Sequence, residues 1–183
     1  MLSDAFLKPE EALEAWDIRP GDTIADFGCG AGFFSLPMAH RVGAQGKIYA
    51  IDVREEALSS ARSKIKVFHA FWIDLVRGDL EKANGTGLKD ESVDKVLITN
   101  ILFQVENKKA VLTEAYRILR FDGSVMLVEW DQDKDVKGPV LPGTVNKKEA
   151  VRLMTEQGFV LHKECYAGSH HYGLIFKKQE RHG

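Results

Sequence analysis

The chain has 183 residues, 44% hydrophobic and 28% charged, a length that suits a single domain over 1–183 and a core needing neither disulfides nor a structural metal. Its 25 basic and 27 acidic residues leave a formal charge of -2, so no general positive field favours nucleic acid as a partner. Two cysteines, Cys29 and Cys165, without a CxxC pair, build neither a disulfide framework nor a zinc site and fit a reducing cytoplasm. The longest uncharged stretch, Phe27 to His40, is too short to span a bilayer, and Asp4 stands where a signal peptide wants a basic flank.

In chain order, a short helix around Pro9 to Trp16, within an N-terminal cap of residues 1–19, precedes the turn Arg19-Pro20-Gly21-Asp22 and a strand at Thr23 to Phe27. A helix at Phe33 to Val42 tolerates Pro37 near its start. Lys47 to Ile51 is the second strand. From Arg54 onward, Leu58, Ala61, Ile65, Phe68 and Trp72 recur at steps of three and four, predicting one face of a long helix with His69 at the edge of its buried stripe. Strands follow at Ile73 to Arg77 and Asp94 to Thr99, then a helix at Lys108 to Arg120 and a strand at Ser124 to Glu129. After a Pro/Gly loop from Gly138 to Gly143 come a helix at Lys147 to Gln157, strands at Phe159 to Cys165 and Tyr172 to Lys177, and an exposed tail at 178–183. Strands that alternate with helices need crossovers and are therefore parallel, so the fold class is a doubly wound α/β sheet. Ligands of such sheets lie beyond the carboxyl ends of the strands.

Directly after the first strand stands Asp26-Phe27-Gly28-Cys29-Gly30-Ala31-Gly32, a strand, tight turn and helix start, the context that gives a glycine motif meaning. The spacing is GxGxG and lacks a Gly-Lys-Ser/Thr ending, so it is not a nucleotide-triphosphate loop. Asp52 ends the second strand twenty residues beyond Gly32, where a carboxylate accepts both hydroxyls of a ribose. Asp79 follows the third strand. A single acid at such a place is often only a loop cap, but three at successive strand ends disfavour phosphate and favour a ligand with positive charge.

These residues resemble the first motif of the class I S-adenosylmethionine-dependent methyltransferases, and the likeness runs from about Ile18 to Lys177. It is nearest to the small-molecule branch that includes ubiquinone and menaquinone C-methyltransferases. The resemblance implies a Rossmann-like, mostly parallel seven-stranded sheet in the order 3-2-1-4-5-7-6 with the last strand antiparallel. It implies S-adenosylmethionine as cofactor, with Asp26, Phe27, Cys29 and the Gly28, Gly30 and Gly32 backbone around the methionine part. By the same likeness Asp52 takes the ribose, Val53 packs on adenine, Asp79 accepts from the adenine amino group beside Leu80, and Asn100 lies in the loop that touches the cofactor. Where the family usually has Pro-Gly-Gly this chain has Phe121-Asp122-Gly123, and where it often has two histidines this chain has Phe103-Gln104.

Methyl transfer from a sulfonium needs alignment and a water-poor cleft more than a fixed triad. For a proton-accepting or acceptor-binding group the candidates are Gln104, His170, His171 and Tyr172. The two histidines read first as an exposed hairpin turn and lack a third ligand for a metal site. Gln104 and Trp130 suit a planar or apolar acceptor, although a packed core edge uses the same residue types. No Asn/Asp-Pro-Pro-Tyr follows the fourth strand and no Pro-Cys nucleophile is present, which sets aside amino-group and cytosine C5 subclasses. The expected partner is a small-molecule acceptor, with the cleft left open or completed by a second copy of the chain. Two alternatives stand beside this: a nicotinamide-dependent oxidoreductase, supported by Asp52 and the glycine turn, and a cofactor-binding module acting through a protein partner.

Overall fold

The computed structural model describes residues 7–131 and 142–179. Expectations about the Gly138 to Gly143 loop and the two ends of the chain therefore lie partly outside the described residues. Strands β1 (Thr23–Phe27), β2 (Lys47–Asp52), β3 (Ile73–Arg77), β4 (Val93–Thr99), β5 (Leu119–Trp130), β6 (Phe159–Tyr166) and β7 (His171–Lys178) form one sheet in the order β3-β2-β1-β4-β5-β7-β6. All pairings from β3 to β5 are parallel, and β7 runs antiparallel to both β5 and β6.

The near-continuous apolar strands follow from burial on both faces of the sheet. Successive side chains point to opposite faces, so Ala25, Ile98 and Leu127 meet the helices α4 (Lys108–Ile118) and α5 (Lys147–Glu156), while Ile24, Leu97 and Met126 meet α1 (Pro9–Glu14), α2 (Ser35–Val42) and α3 (Glu55–Val67). Asn107 and Asn146 cap α4 and α5, each accepting from the amide three residues on, at 3.0 and 2.9 Å. Just beyond α1 the indole of Trp16 donates to the Ser124 hydroxyl of β5 at 2.8 Å and ties this helix to the sheet.

Five boundaries differ from expectation. The long helix stops at Val67, because His69 takes a left-handed backbone (φ 54°) and the Phe68 amide closes on Lys64. Phe68 is thereby exposed, while Trp72 leaves the helix and donates to the Ala39 carbonyl at 2.8 Å. The helix expected from Phe33 begins at Ser35, and α4 ends at Ile118. β5 starts five residues early, at Leu119, with its register on β4 jumping between Val93 and Lys95. Lys178, expected to open an exposed tail, closes β7 instead. Its ammonium donates to the Leu119 carbonyl at 2.6 Å and lies 4.6 Å from the centre of the Tyr116 ring.

Candidate functional site

At the carboxyl ends of β1, β2, β3 and β4 the loops enclose a cleft of about 350 Å³, lined by Gly28, Asp52 to Arg54, Gly78 to Glu81, Thr99 to Ile101, Gln104 and Val105. The size falls within the range of small-ligand sites, roughly 300–1,000 Å³. The turn from β1 favours glycine: Gly28, Gly30 and Gly32 all take left-handed φ, at 69°, 53° and 81°. A Cβ on Gly28 would lie 2.0 Å from Ile101, so the two loops pack backbone to side chain here, while Gly30 faces open space.

The three acids part company. Asp52 is on the cleft wall and ties the two loops together: one carboxylate oxygen accepts from the Gly30 amide at 3.0 Å, the other from the Arg54 amide at 2.9 Å. The Arg54 guanidinium also lies on it, at 3.1 and 3.3 Å. Burial opposes ionisation of Asp52, but hydrogen bonds from Arg54 and Gly30 outweigh it and hold the carboxyl below the usual range. Asp79 also lines the cleft while capping its own loop, accepting from the Glu81 amide at 3.1 Å with Lys82 at 3.3 Å. Asp26, by contrast, is sealed beneath the turn and takes the Ser35 hydroxyl at 2.5 Å. Its burial, with the charge of Asp52 adding, raises its pKa to about 7 against the pull of the Ser35 bond. Three acids converging on one open cleft is therefore corrected to two on its wall and one below.

Other expected cofactor residues divide in the same way. Val53 stands 55% exposed at the cleft with no apolar cover, and Leu80 sits beside Asp79. Phe27 is wholly buried in the core, and Cys29 is buried with its thiol pushed up by burial and by Asp26 and Asp52, so their backbones rather than side chains face the turn. Gly32 packs toward Ala61 of α3.

On the acceptor side, Asn100 takes a left-handed backbone (φ 53°), and its amide nitrogen lies 3.1 Å from His171 Nε2. The Asn100 carbonyl accepts from the Gln104 side chain. His171 stacks on Trp130 with centroids 4.2 Å apart. Both His170 and His171 are buried, which corrects the expectation of an exposed hairpin turn: β5 pairs Trp130 with His171, and His170 bonds Ser169 at 2.7 Å. Tyr172 is turned to the other face, donating to the Val145 carbonyl at 2.7 Å, and burial raises its phenol.

Sequence patterns did not single out Arg54, Ser35 or the supporting role of Glu129. Glu129 is fully buried at the end of β5, where one oxygen accepts the Leu102 amide at 2.7 Å. It thus holds the Asn100–Gln104 loop from behind, and burial raises its pKa to about 8 against that bond. Its second oxygen, Thr99 Oγ1 and Asn100 Oδ1 are buried without a partner among the described residues, the usual mark of a polar site awaiting a ligand or water. The signal for Arg54 was its place two residues after Asp52; Ser35, nine residues from Asp26, had no local signal.

Comparison with known proteins agrees with this geometry. Residues 18–180 match a family described as "Methyltransferase domain". A demethylmenaquinone methyltransferase from Bacillus mycoides is 28% identical over 123 residues, 67% of this chain and 51% of that protein, so the chain spans about half the length of the curated relatives it matches. A crystal structure of a SAM-dependent methyltransferase from Aquifex aeolicus has a TM-score of 0.84 at 23% identity, covering 95% of this chain and 91% of that one, a likeness of fold. A protein from Sulfolobus solfataricus named for the type 11 methyltransferases has a TM-score of 0.78 at 26% identity, with 97% and 96% covered. With a family match across nearly its whole length and the family's strand order in its sheet, the chain belongs to the S-adenosylmethionine-dependent methyltransferases of the Rossmann-like class.

Proposed function

We propose that this chain transfers a methyl group from S-adenosylmethionine to a small-molecule acceptor. The observation that carries the proposal is the pairing, across one cleft, of the buried Asp52 carboxylate with the glycine turn it grips through the Gly30 amide. The residues present fit the cofactor. Gly30 leaves an open cradle, Val53 offers an uncovered apolar face, and two acids on the wall suit a ligand with a cationic sulfur. The relatives' names support the small-molecule branch. A dinucleotide reading loses ground, since sheets of that kind run 3-2-1-4-5-6 whereas here an antiparallel β7 lies between β5 and β6.

When bound, S-adenosylmethionine supplies an activated methyl group on positively charged sulfur. In our assignment Asp52 accepts the ribose hydroxyls, releasing Arg54. Asp79 accepts from the adenine amino group, Val53 and Leu80 flank the ring, and the Gly28, Gly30 and Gly32 backbone with Asp26 beneath holds the methionine part. Phe27 and Cys29 contribute backbone only. The loop from Asn100 to Gln104, braced by Glu129, fixes the wall against which the acceptor is aligned, and alignment is the main catalytic effect asked of the protein. Gln104 and the Asn100–His171 pair are the acceptor-side polar groups. The Asn100 side-chain amide, 3.1 Å from His171 Nε2, orients that ring on the acceptor side. His170 braces this side through Ser169, while Tyr172 anchors the strand on the opposite face through Val145. We take the chain to be one domain working in the cytoplasm, with a second copy as the candidate for closing the acceptor side; no helix among the described residues is long and apolar enough to cross a membrane.

Calorimetric titration with S-adenosylhomocysteine and with NAD tests the cofactor assignment, and labelled S-adenosylmethionine with a metabolite extract tests transfer. Binding of the homocysteine product and label on a small molecule are expected. NAD binding with no response to S-adenosylhomocysteine would overturn the proposal, and binding without transfer would favour a module acting through a protein partner.

A further inference from the structure

Among the described residues, seven large apolar side chains are exposed, and three of them crowd into one turn: Val67 at 71%, Phe68 at 66% and Phe71 at 65%. The turn is a fixed knob. His69 in the left-handed region reverses the chain and sets its ring edge-on to Phe71, centroids 5.8 Å apart, while the buried Ala70 and the Trp72 bond to Ala39 anchor the base. From Arg62 to Phe71 the sequence holds Arg62, Lys64 and Lys66 and no acid, and all three cations are exposed. Of the acids on neighbouring segments, Asp74 pairs with Lys47 at 2.8 Å and Glu55 with Arg62 at 3.6 Å, so Lys64 and Lys66 carry the charge of the knob.

Contiguous exposed apolar side chains on a soluble fold mark a contact surface. Aromatic and aliphatic tips ringed by cations match the boundary of an anionic bilayer, where rings enter the headgroup region and ammonium groups meet lipid phosphate. A second copy is a poorer occupant, because a two-fold contact sets the same patch against itself and brings like charges together. We propose that the knob at the end of α3, Val67, Phe68 and Phe71 with Lys64 and Lys66, docks this protein on anionic lipid surfaces. The helix α3 starts beside Asp52 and ends here, at the amino ends of the parallel strands, whereas the cleft lies at their carboxyl ends. Docking therefore leaves the cleft facing solution, and the proposal is independent of what the cleft does.

The test is co-sedimentation of the whole chain with phosphatidylcholine vesicles, with and without phosphatidylglycerol. Binding is expected only with phosphatidylglycerol, weakened by salt. It is expected to fall roughly tenfold or more in Phe68→Ser/Phe71→Ser, and by a similar factor in Lys64→Glu/Lys66→Glu. These side chains lie outside the core, so the phenylalanine variant should melt as the parent does and the charge-reversed variant slightly lower, since it puts two anions in the last turn of α3. No binding to the anionic vesicles, or equal binding by the charge-reversed variant, would overturn the proposal. So would a lipid-free dimer, seen by sedimentation equilibrium, that the phenylalanine variant alone dissolves.

Discussion

Asp52→Asn tests the core of the proposed site, because it keeps the shape of the side chain and removes its charge. In the unliganded chain the carboxylate already accepts from Gly30 and from the amide and guanidinium of Arg54. Two ribose hydroxyls bonded to a charged acceptor contribute about 1.5–3 kcal/mol each. Against this stands the displaced Arg54 guanidinium, whose side chain is 65% exposed, so its ion pair contributes only about 0–1 kcal/mol. Asparagine keeps one oxygen acceptor, so about half the gross gain survives, and the net loss is about 1–3 kcal/mol, a roughly 5- to 150-fold weaker Kd. If Arg54 competes with the ribose, Arg54→Ala should tighten binding about 2- to 5-fold in the parent and do nothing in Asp52→Asn. Calorimetric titration of the four proteins with S-adenosylhomocysteine completes the double-mutant cycle. An unchanged Kd in Asp52→Asn, or the same Arg54→Ala effect in both backgrounds, would refute the reasoning.

Gly28→Ala should cost about 1–3 kcal/mol from its left-handed backbone alone, plus the clash with Ile101. In a thermal melt, Ile101→Ala should recover the steric part and leave the backbone part; complete recovery would show that φ carries no cost there. Glu129 has a folded pKa of about 8, raised from the usual 4.5, so its protonated form is the one the fold favours. Stability from this group is full below about 4.5 and is lost as pH rises through about 8, a change of a few kcal/mol. Denaturant melts across that window should flatten in Glu129→Gln, and a variant with the parent's slope would contradict the assignment. Asp26, raised from 3.8 to about 7, should ionise more readily when a cationic ligand sits above it. Affinity for S-adenosylmethionine should thus climb with pH through about 7, and Asp26→Asn should bind with no such climb.

Much of the fold was legible along the chain because its signals are local. Alternating apolar runs and helical spacings placed the strands, and the GxGxG turn was readable because glycine takes left-handed positions at the least cost and three stand close together here. Asp52 followed from its position at a strand end. Helix ends were less legible: Phe68 continues the helical spacing of Leu58, Ala61 and Ile65, yet the chain leaves the helix at Val67, and β2 receives the next strand beside Ile48.

By itself the sequence determined the doubly wound class, the glycine turn and the acids at the ends of β1 and β2 and just after β3, since strand period and turn chemistry act over a few residues. Tertiary structure alone decided which of those acids faces the cleft. Asp26 and Asp79 look alike in sequence, but Ser35 of α2 closes over the first, and the second remains on the cleft wall. Likewise His171 is buried because β7 lies against β5 and sets it on Trp130, forty-one residues earlier in the chain. A side chain's exposure at a strand end depends on what packs over it, and that partner comes from another part of the chain.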